Sequence, residues 1–229
     1  MSLLPGYRVL DTVHQSESSI VYLAVRESDN HPFVLKLLNK SYPTPAQIRQ
    51  FQHEFRVSQL LEESDTTNPP TRPSAGARAA AATEWSDSPA DKPVSGRAAR
   101  SLELVEHQRR HFIVMEHCAG QPLNMLLKEG PLPIGEALAI GMELVSLLGR
   151  IHEAGIVHKD INPSNLIYDR ASGQLRLIDF GIASLMTREA TAFYGSSSLL
   201  GTPAYLSPEQ TGRMNRSVDY RSDRRPYAF

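Results

Sequence analysis

A long stretch of small and polar residues divides this chain into two unlike parts. Between Asp65 and Arg100, 24 of the 36 residues are Pro, Ala, Ser, Thr or Gly, and only Trp85 and Val94 are large and apolar. A segment of this composition buries too little apolar surface to offset the entropy lost on ordering. We therefore predict a disordered insertion over 65–100, flanked by two regions that build the cores.

Apolar periodicity predicts both strands and helices on each side of the insertion. Short apolar runs, typical of strands, occur on both sides of the insertion, at 7–10, 20–26, 32–38, 101–107 and 111–116. Helical spacing of apolar residues occurs at 45–62, 123–128 and 134–154. In the last of these, the spacing predicts one face formed by Leu138, Gly141, Val145, Leu148 and His152. Strands first and helices after predict an α+β chain of two lobes. We place the strand-rich lobe and its connection at 1–118 and the helical lobe at 119–229.

Composition excludes several function classes. The chain has 229 residues, of which 41% are hydrophobic, and a formal net charge of −1. This size permits one or two modest cores, and the charge gives no reason to expect nucleic acid or an anionic membrane as a partner. The single cysteine, Cys118, excludes an internal disulfide and suits a reducing compartment. With no signal peptide or membrane span evident, we predict a cytoplasmic protein.

Two polar motifs in the second region carry the strongest chemical signal. The first reads His-Lys-Asp-Ile-Asn-Pro-Ser-Asn over 158–165, and the second is Asp-Phe-Gly over 179–181. One carboxylate, Asp160, can orient a hydroxyl, while the oxygens of Asn165 and Asp179 are hard ligands of the kind that Mg²⁺ prefers. The simpler interpretation is a polar turn whose side chains bind their own backbone. It accounts for Asp160 alone but not for the set.

This pattern resembles the catalytic loop and metal-binding motif of protein kinases. The segment Gly-Thr-Pro-Ala-Tyr-Leu-Ser-Pro-Glu, 201–209, resembles the end of a serine/threonine kinase activation segment. The amino-acid sequence of 158–165 and 207–223 is similar to that of the N-terminal kinase modules of large bacterial signalling proteins. The resemblance implies a two-lobed protein-kinase-like fold that transfers the γ-phosphoryl group of ATP to a hydroxyl of a protein substrate, with further signalling domains downstream as partners.

The resemblance also implies a role for each residue of the site. Asp160 would accept or orient the hydroxyl proton, and Asn165 and Asp179 would bind Mg²⁺. Lys36 would bind the first phosphates of the nucleotide, and Glu54 would hold that lysine in place. The nucleotide would contact six residues, namely Val21, Val34, Lys36, Glu116, Cys118 and Ile167. Taken alone, Lys36 is an ordinary edge-strand lysine, Glu54 a solvated helix residue and Cys118 a small buried residue.

Three departures from the family pattern weaken the expectation of activity. Serine or histidine replaces the glycines of the phosphate-covering loop, at His14, Ser16 and Ser19. In the catalytic loop Lys159 replaces a commoner arginine, and Asn162 replaces a lysine. We expect weaker use of nucleotide from these changes.

The third departure is that the sequence ends soon after Asp223, where the family continues with further helices. We therefore expect an incomplete helical lobe and a partly exposed apolar face on 134–154. One alternative is a truncated or pseudokinase-like regulatory module that binds nucleotide or partner with little or no transfer. A small-molecule phosphotransferase shares the catalytic aspartate and asparagine but explains neither Asp-Phe-Gly nor 201–209, and it ranks last.

Overall fold

Five antiparallel strands form the sheet of the first lobe. The structure, a computed structural model, describes residues 3–67, 96–186, 201–211 and 217–224. The strands of this sheet are β1 (Tyr7–Gln15), β2 (Ser19–Arg26), β3 (Pro32–Leu38), β5 (Ser101–His107) and β6 (Arg110–Glu116). Their order is β1-β2-β3-β6-β5. The central strands β3 and β6 are the most buried, since their apolar residues face packed layers on both sides.

One long helix packs on this sheet. Helix α1 (Pro45–Thr67) places Phe51 against Leu38 and Ile113 of the central strands. Its other end joins the core of the second lobe through Val57 and Leu61. The helix that carries Glu54 therefore contacts both lobes.

The second lobe is mainly helical, with small sheets at its upper edge. Its helices are α2 (Leu123–Glu129) and α3 (Ile134–Glu153). Strands β4 (Arg97–Ala98), β7 (Gln121–Pro122), β9 (Leu166–Asp169) and β10 (Gln174–Leu177) form one sheet, in the order β4-β10-β9-β7. Strand β8 (Ile156–Val157) pairs with β11 (Ser184–Leu185). This arrangement confirms the predicted two-lobed α+β class.

The predicted insertion needs correction at both ends. Residues 65–67 continue helix α1, and Arg97–Ala98 form β4, which pairs in parallel with β10. Ala99 is buried, and its N–H donates to the carbonyl of Leu177 at 2.9 Å. Composition missed these contacts because small residues give no periodic signal. The remainder of the predicted segment, 68–95, lies outside the described residues.

Helix α3 buries a different face from the one its spacing suggests. The buried residues are Ile140, Leu144, Leu147, Leu148 and Ile151, which pack against the small sheets. Ile134, Leu138, Met142 and Val145 are between 63% and 81% exposed. The expectation of a partly exposed apolar face on 134–154 is thus confirmed. No helix in the described ranges has the length and apolarity needed to span a bilayer.

Candidate active site

Lys36 lies between two carboxylates at the junction of the lobes. Its Nζ is 2.6 Å from Oε1 of Glu54 and 2.8 Å from Oδ1 of Asp179. Strand β3 supplies the lysine, helix α1 the glutamate and the loop after β10 the aspartate. Lys36 and Glu54 are 7% and 5% exposed, whereas the side chain of Asp179 is 45% exposed. Asp179 is therefore the most accessible of the three charged groups to an incoming ligand.

Charge coupling favours the ionised forms of Lys36 and Asp179, whereas burial raises the pKa of Glu54. Burial works against the Lys36 ammonium, but the two carboxylates outweigh it and raise the pKa of Lys36. Burial alone would raise the pKa of Asp179, but Lys36 and the N–H of Gly181 stabilise the carboxylate and lower its pKa. An ionised Asp179 retains the negative charge that a metal ligand requires.

Asp160 is held from two directions. The N–H of Thr202 donates to its Oδ1 at 2.9 Å, and Nδ2 of Asn165 donates to its Oδ2 at 3.1 Å. The same Nδ2 donates to the backbone carbonyl of Asp160 at 2.9 Å. The carboxylate is half-buried, so it has a fixed orientation while still facing the cleft. A fixed carboxylate is suited to accept a proton from a bound hydroxyl.

Asn162 links the catalytic loop to the segment after residue 200. Its Nδ2 donates to the carbonyl of Asp160 at 3.2 Å and to Oγ1 of Thr202 at 3.0 Å. Its Oδ1 accepts from the N–H of Ser164 at 2.9 Å, and the residue is 2% exposed. Both ends of this side chain are thus occupied inside the protein. Asn162 supports the backbone of Asp160 but adds no positive charge to the cleft.

A buried aspartate braces the start of the catalytic loop. Oδ2 of Asp223 accepts from the N–H of His158 at 2.8 Å and lies 3.0 Å from Nε2 of His152. Its Oδ1 accepts from the N–H of Lys159 at 2.7 Å. Lys159 has a φ of 71°, an unfavourable conformation for a residue with a side chain. The carboxylate of Asp223 therefore offsets local backbone strain.

The brace supports a stability prediction. Asp223→Asn should lower the free energy of unfolding by about 2–3 kcal/mol, because an amide oxygen cannot replace both carboxylate oxygens that accept from His158 and Lys159. Urea unfolding at neutral pH measures the loss. Asp219→Asn, which removes a partly exposed pairing with Arg221, should change stability by about 1 kcal/mol or less. Equal losses for the two variants would contradict the proposed brace.

Phe180 and His158 pack together between the two motifs. Phe180 is 3% exposed, and its ring lies edge-on to His158 with centroids 4.8 Å apart. Burial lowers the pKa of His158, which keeps the imidazole neutral. Its Nδ1 accepts the N–H of Asp160 at 3.2 Å, which makes Nε2 the donor towards the carbonyl of Ile178 at 3.3 Å. One neutral histidine thereby connects both motifs.

The residues expected at the nucleotide base lie in two groups. Val21 pairs directly with Lys36 across β2 and β3, and Val34 is two residues before Lys36, so these three share one sheet face. Glu116 and Cys118 line a polar cavity of about 220 Å³ beside the connection between the lobes. The other residues of that cavity are His117, Ala119, Asp169, Gln174 and Arg176. Ile167, in β9, is half-buried and lies outside this lining.

Cys118 behaves as a structural thiol. Burial, followed by the nearby Glu116 carboxylate, raises the pKa of Cys118 to about 11. The thiol is therefore protonated at neutral pH and is a poor nucleophile. The N–H of Glu116 donates to the carbonyl of Arg100 at 3.0 Å, so this N–H is committed within the protein.

The donor set fits a divalent metal held jointly with phosphate. Nδ2 of Asn165 is committed to Asp160, which leaves Oδ1 as its ligand atom. The N–H of Ile178 donates to the carbonyl of Asn165 at 2.9 Å, so the backbones of the two expected ligands meet. No cluster of three or more His, Cys, Asp or Glu suited to a metal occurs in the part of the chain that the structure describes. A metal here needs phosphate and water oxygens as additional ligands, as Mg²⁺ commonly does.

Sequence reasoning missed two supporting residues. Thr202 was noted only as part of a motif, yet its N–H and Oγ1 contact Asp160 and Asn162. Gln210 donates from Nε2 to the carbonyl of Lys159 at 2.7 Å. Neither contact has a local sequence signal, because the partners are about forty to fifty residues apart in the chain.

This fold, with a lysine–glutamate pair and an aspartate-bearing loop between two lobes, is the arrangement typical of the protein kinase class. The sequence profile described as "Protein kinase domain" matches residues 98–223, more than half of the chain. The chain therefore belongs to the protein kinase family. The match begins after α1, so Lys36 and Glu54 lie outside it. The contact of Lys36 with Asp179 connects this pair to the family site.

Curated bacterial relatives point to the serine/threonine class. Serine/threonine-protein kinase pkn2 of Myxococcus xanthus is 38% identical over 142 residues, which cover 56% of this chain and 17% of the relative. Serine/threonine-protein kinase pkn3 of the same organism is 36% identical over 118 residues, 49% of this chain and 21% of the relative. Serine/threonine-protein kinase PrkC of Bacillus subtilis is 38% identical over 109 residues, which cover 47% of this chain and 16% of the relative. The matched region spans about a fifth or less of each relative.

Proposed function

We propose that this chain is the catalytic part of a bacterial serine/threonine protein kinase. The observation that carries the proposal is the assembled set of Lys36 with Glu54 and Asp179 beside an Asp160 held by Asn165 and Thr202. A carboxylate poised for a hydroxyl proton next to a cation–carboxylate group is what phosphoryl transfer requires, since the reaction depends on positioning and charge.

The residues divide the work as follows. Asp160 accepts the proton of the substrate hydroxyl. The hydroxyl oxygen forms the new bond to the γ-phosphorus, while the bond between that phosphorus and the ADP oxygen breaks. Lys36 neutralises phosphate charge, and Glu54 fixes the lysine in place. Asn165 and Asp179 would hold Mg²⁺, which when bound supplies positive charge to the phosphate oxygens. Val21, Val34, Ile167 and the backbone of Glu116 and Cys118 would contact the base.

The protein substrate, the partner domains and the cellular location are also part of this proposal. The hydroxyl acceptor is a serine or threonine of a protein substrate, which is supported by the printed names of the relatives and by the Gly-Thr-Pro segment at 201–203. Because the relatives are several times longer than the matched region, further signalling domains are proposed as partners. A cytoplasmic location is proposed because the single cysteine cannot form an internal disulfide and suits a reducing compartment.

Label transfer tests the function. The chain should transfer label from γ-labelled ATP to a generic protein substrate in the presence of Mg²⁺, and the product should contain phosphoserine or phosphothreonine. Removal of the metal with EDTA should reduce transfer to background, since Asn165 is neutral and Asp179 is negative, so without the metal neither offsets the charge of the phosphates. Nucleotide binding with no transfer in any metal would overturn the proposal and leave the regulatory-module alternative.

A further inference from the structure

The turn between β1 and β2 is closed by one serine hydroxyl. Oγ of Ser16 accepts from the N–H of Ser19 at 3.0 Å and from the N–H of Ser18 at 3.3 Å. The same hydroxyl donates to the carbonyl of Ser19 at 3.1 Å. None of residues 14–19 has a positive φ, so the positions expected to be glycine adopt this turn without strain. The consequence of losing the glycines is therefore chemical and not conformational.

The closed turn is fixed to the strand that carries Lys36. Nδ2 of Asn39 donates to the carbonyl of Ser16 at 2.8 Å, and the N–H of Asn39 donates to the carbonyl of Ser18 at 2.9 Å. Asn39 follows β3 directly, and Ser19 pairs with Leu38. The turn is thus held at the same end of the sheet as the lysine expected to meet the phosphates.

Backbone N–H groups at such a turn are the donors that bind phosphate oxygens. Here the N–H groups of Ser18 and Ser19 already have an acceptor within the turn. We propose that the Ser16 hydroxyl competes with the β- and γ-phosphates for these two N–H groups and thereby weakens binding of ADP and ATP. The inference rests on the proposed function, because it assumes that the turn covers a nucleotide.

Glu17, at the exposed apex of the turn, acts in the same direction. Its carboxylate adds negative charge where phosphates would approach, although solvent screens an exposed charge. Charge repulsion and hydrogen-bond competition are separable, because the first depends on Glu17 and on salt and the second on the hydroxyl of Ser16.

Ligand-dependent affinity distinguishes this competition from general loosening. Dissociation constants for adenosine, ADP–Mg and ATP–Mg are compared in the wild type, Ser16→Ala and Ser16→Thr. Ser16→Ala should bind ADP and ATP about 3- to 10-fold more tightly, because two N–H donors become available. Adenosine has no phosphate and should bind equally to all three proteins. Ser16→Thr keeps the hydroxyl and should behave as the wild type.

A control variant tests whether loss of any exposed hydroxyl has the same effect. Ser41→Ala removes an exposed hydroxyl outside the turn, and it should leave all affinities unchanged. Unchanged or weaker ADP binding by Ser16→Ala would overturn the proposal, as would an equal gain for adenosine. Failure of every protein, the wild type included, to bind adenosine or ADP would overturn nucleotide use itself and this inference with it. Thermal unfolding of each variant verifies that it is folded.

Discussion

Replacement of Asp160 by Asn is expected to lower the rate of phosphoryl transfer by about 10²- to 10⁴-fold, the usual contribution of a positioned general base. The variant keeps the shape of the side chain and an oxygen that can accept from the N–H of Thr202. It lacks the negative charge needed to take the hydroxyl proton. Because Asp160 does not contact the residues assigned to the adenine base of the nucleotide, the Kd for nucleotide should change little.

The loss should appear in kcat. A similar fall in kcat and kcat/KM identifies an interaction made in the transition state, whereas an increase in KM alone would indicate lost ground-state binding. Asp29→Asn is a matched control, since this aspartate pairs with Arg26 in the exposed turn between β2 and β3. Transfer by Asp160→Asn at the rate of Asp29→Asn would show that another group accepts the proton.

Replacement of Lys36 by Met should lower both stability and nucleotide binding. The change removes the ammonium from between Glu54 and Asp179 and leaves a buried carboxylate without its partner. Breaking a buried pair in this way costs about 3–5 kcal/mol of unfolding free energy. Chemical unfolding measures the stability, and the Kd for ATP–Mg measures the second effect.

The pH dependence of this loss has a definite sign. Burial already raises the pKa of Glu54 in the wild type, and removal of the Lys36 ammonium, which lowers it, should raise this pKa further above the unfolded value. A group with a raised pKa favours folding at low pH and loses that contribution as the pH rises. The difference in stability between Lys36→Met and the wild type should therefore shrink as the pH falls towards about 4 to 5.

Two further variants isolate the buried charge. Lys36→Met combined with Glu54→Gln should recover part of the lost stability, because the second change removes the unpaired carboxylate. Lys128→Met, at an exposed position of α2, should change stability by about 0.5 kcal/mol or less. A double variant less stable than Lys36→Met alone would contradict the assignment of the loss to Glu54.

Local sequence signals predicted the elements of this fold better than their contacts. The five longest strands follow short apolar runs, and their observed bounds differ mainly at β1, which continues from residue 10 to Gln15. The polar residues of 11–15 hide this extension, because the outer strand β1 is largely exposed. The pairing of Lys36 with Glu54 was predicted from family resemblance, and residue type alone did not require it.

Helix α3 shows why a face is harder to predict than a helix. Spacing selected Leu138, Gly141, Val145, Leu148 and His152, but apolar residues occur around most of the helix, so several faces satisfy the same period. The buried face is decided by Leu166, Leu175 and Leu177 of β9 and β10, which pack against it. Such a choice depends on tertiary neighbours, and no window of the sequence contains them.

Strand β4 has a consequence for how the cleft opens. The chain passes between the two main sheets from β4 to β5 and again from β6 to β7, and each passage is short. Ser58 of α1 donates from Oγ to the carbonyl of Ala99 and accepts from the N–H of Ser101, so the helix that carries Glu54 is attached to the first passage. Rotation of the lobes about the line through the two passages would leave these bonds intact but would change the distance between Lys36 and Asp179, which join the lobes at the cleft. The two lobes are therefore connected by two short chain segments, and Glu54 lies on the helix that is bonded to the first of them.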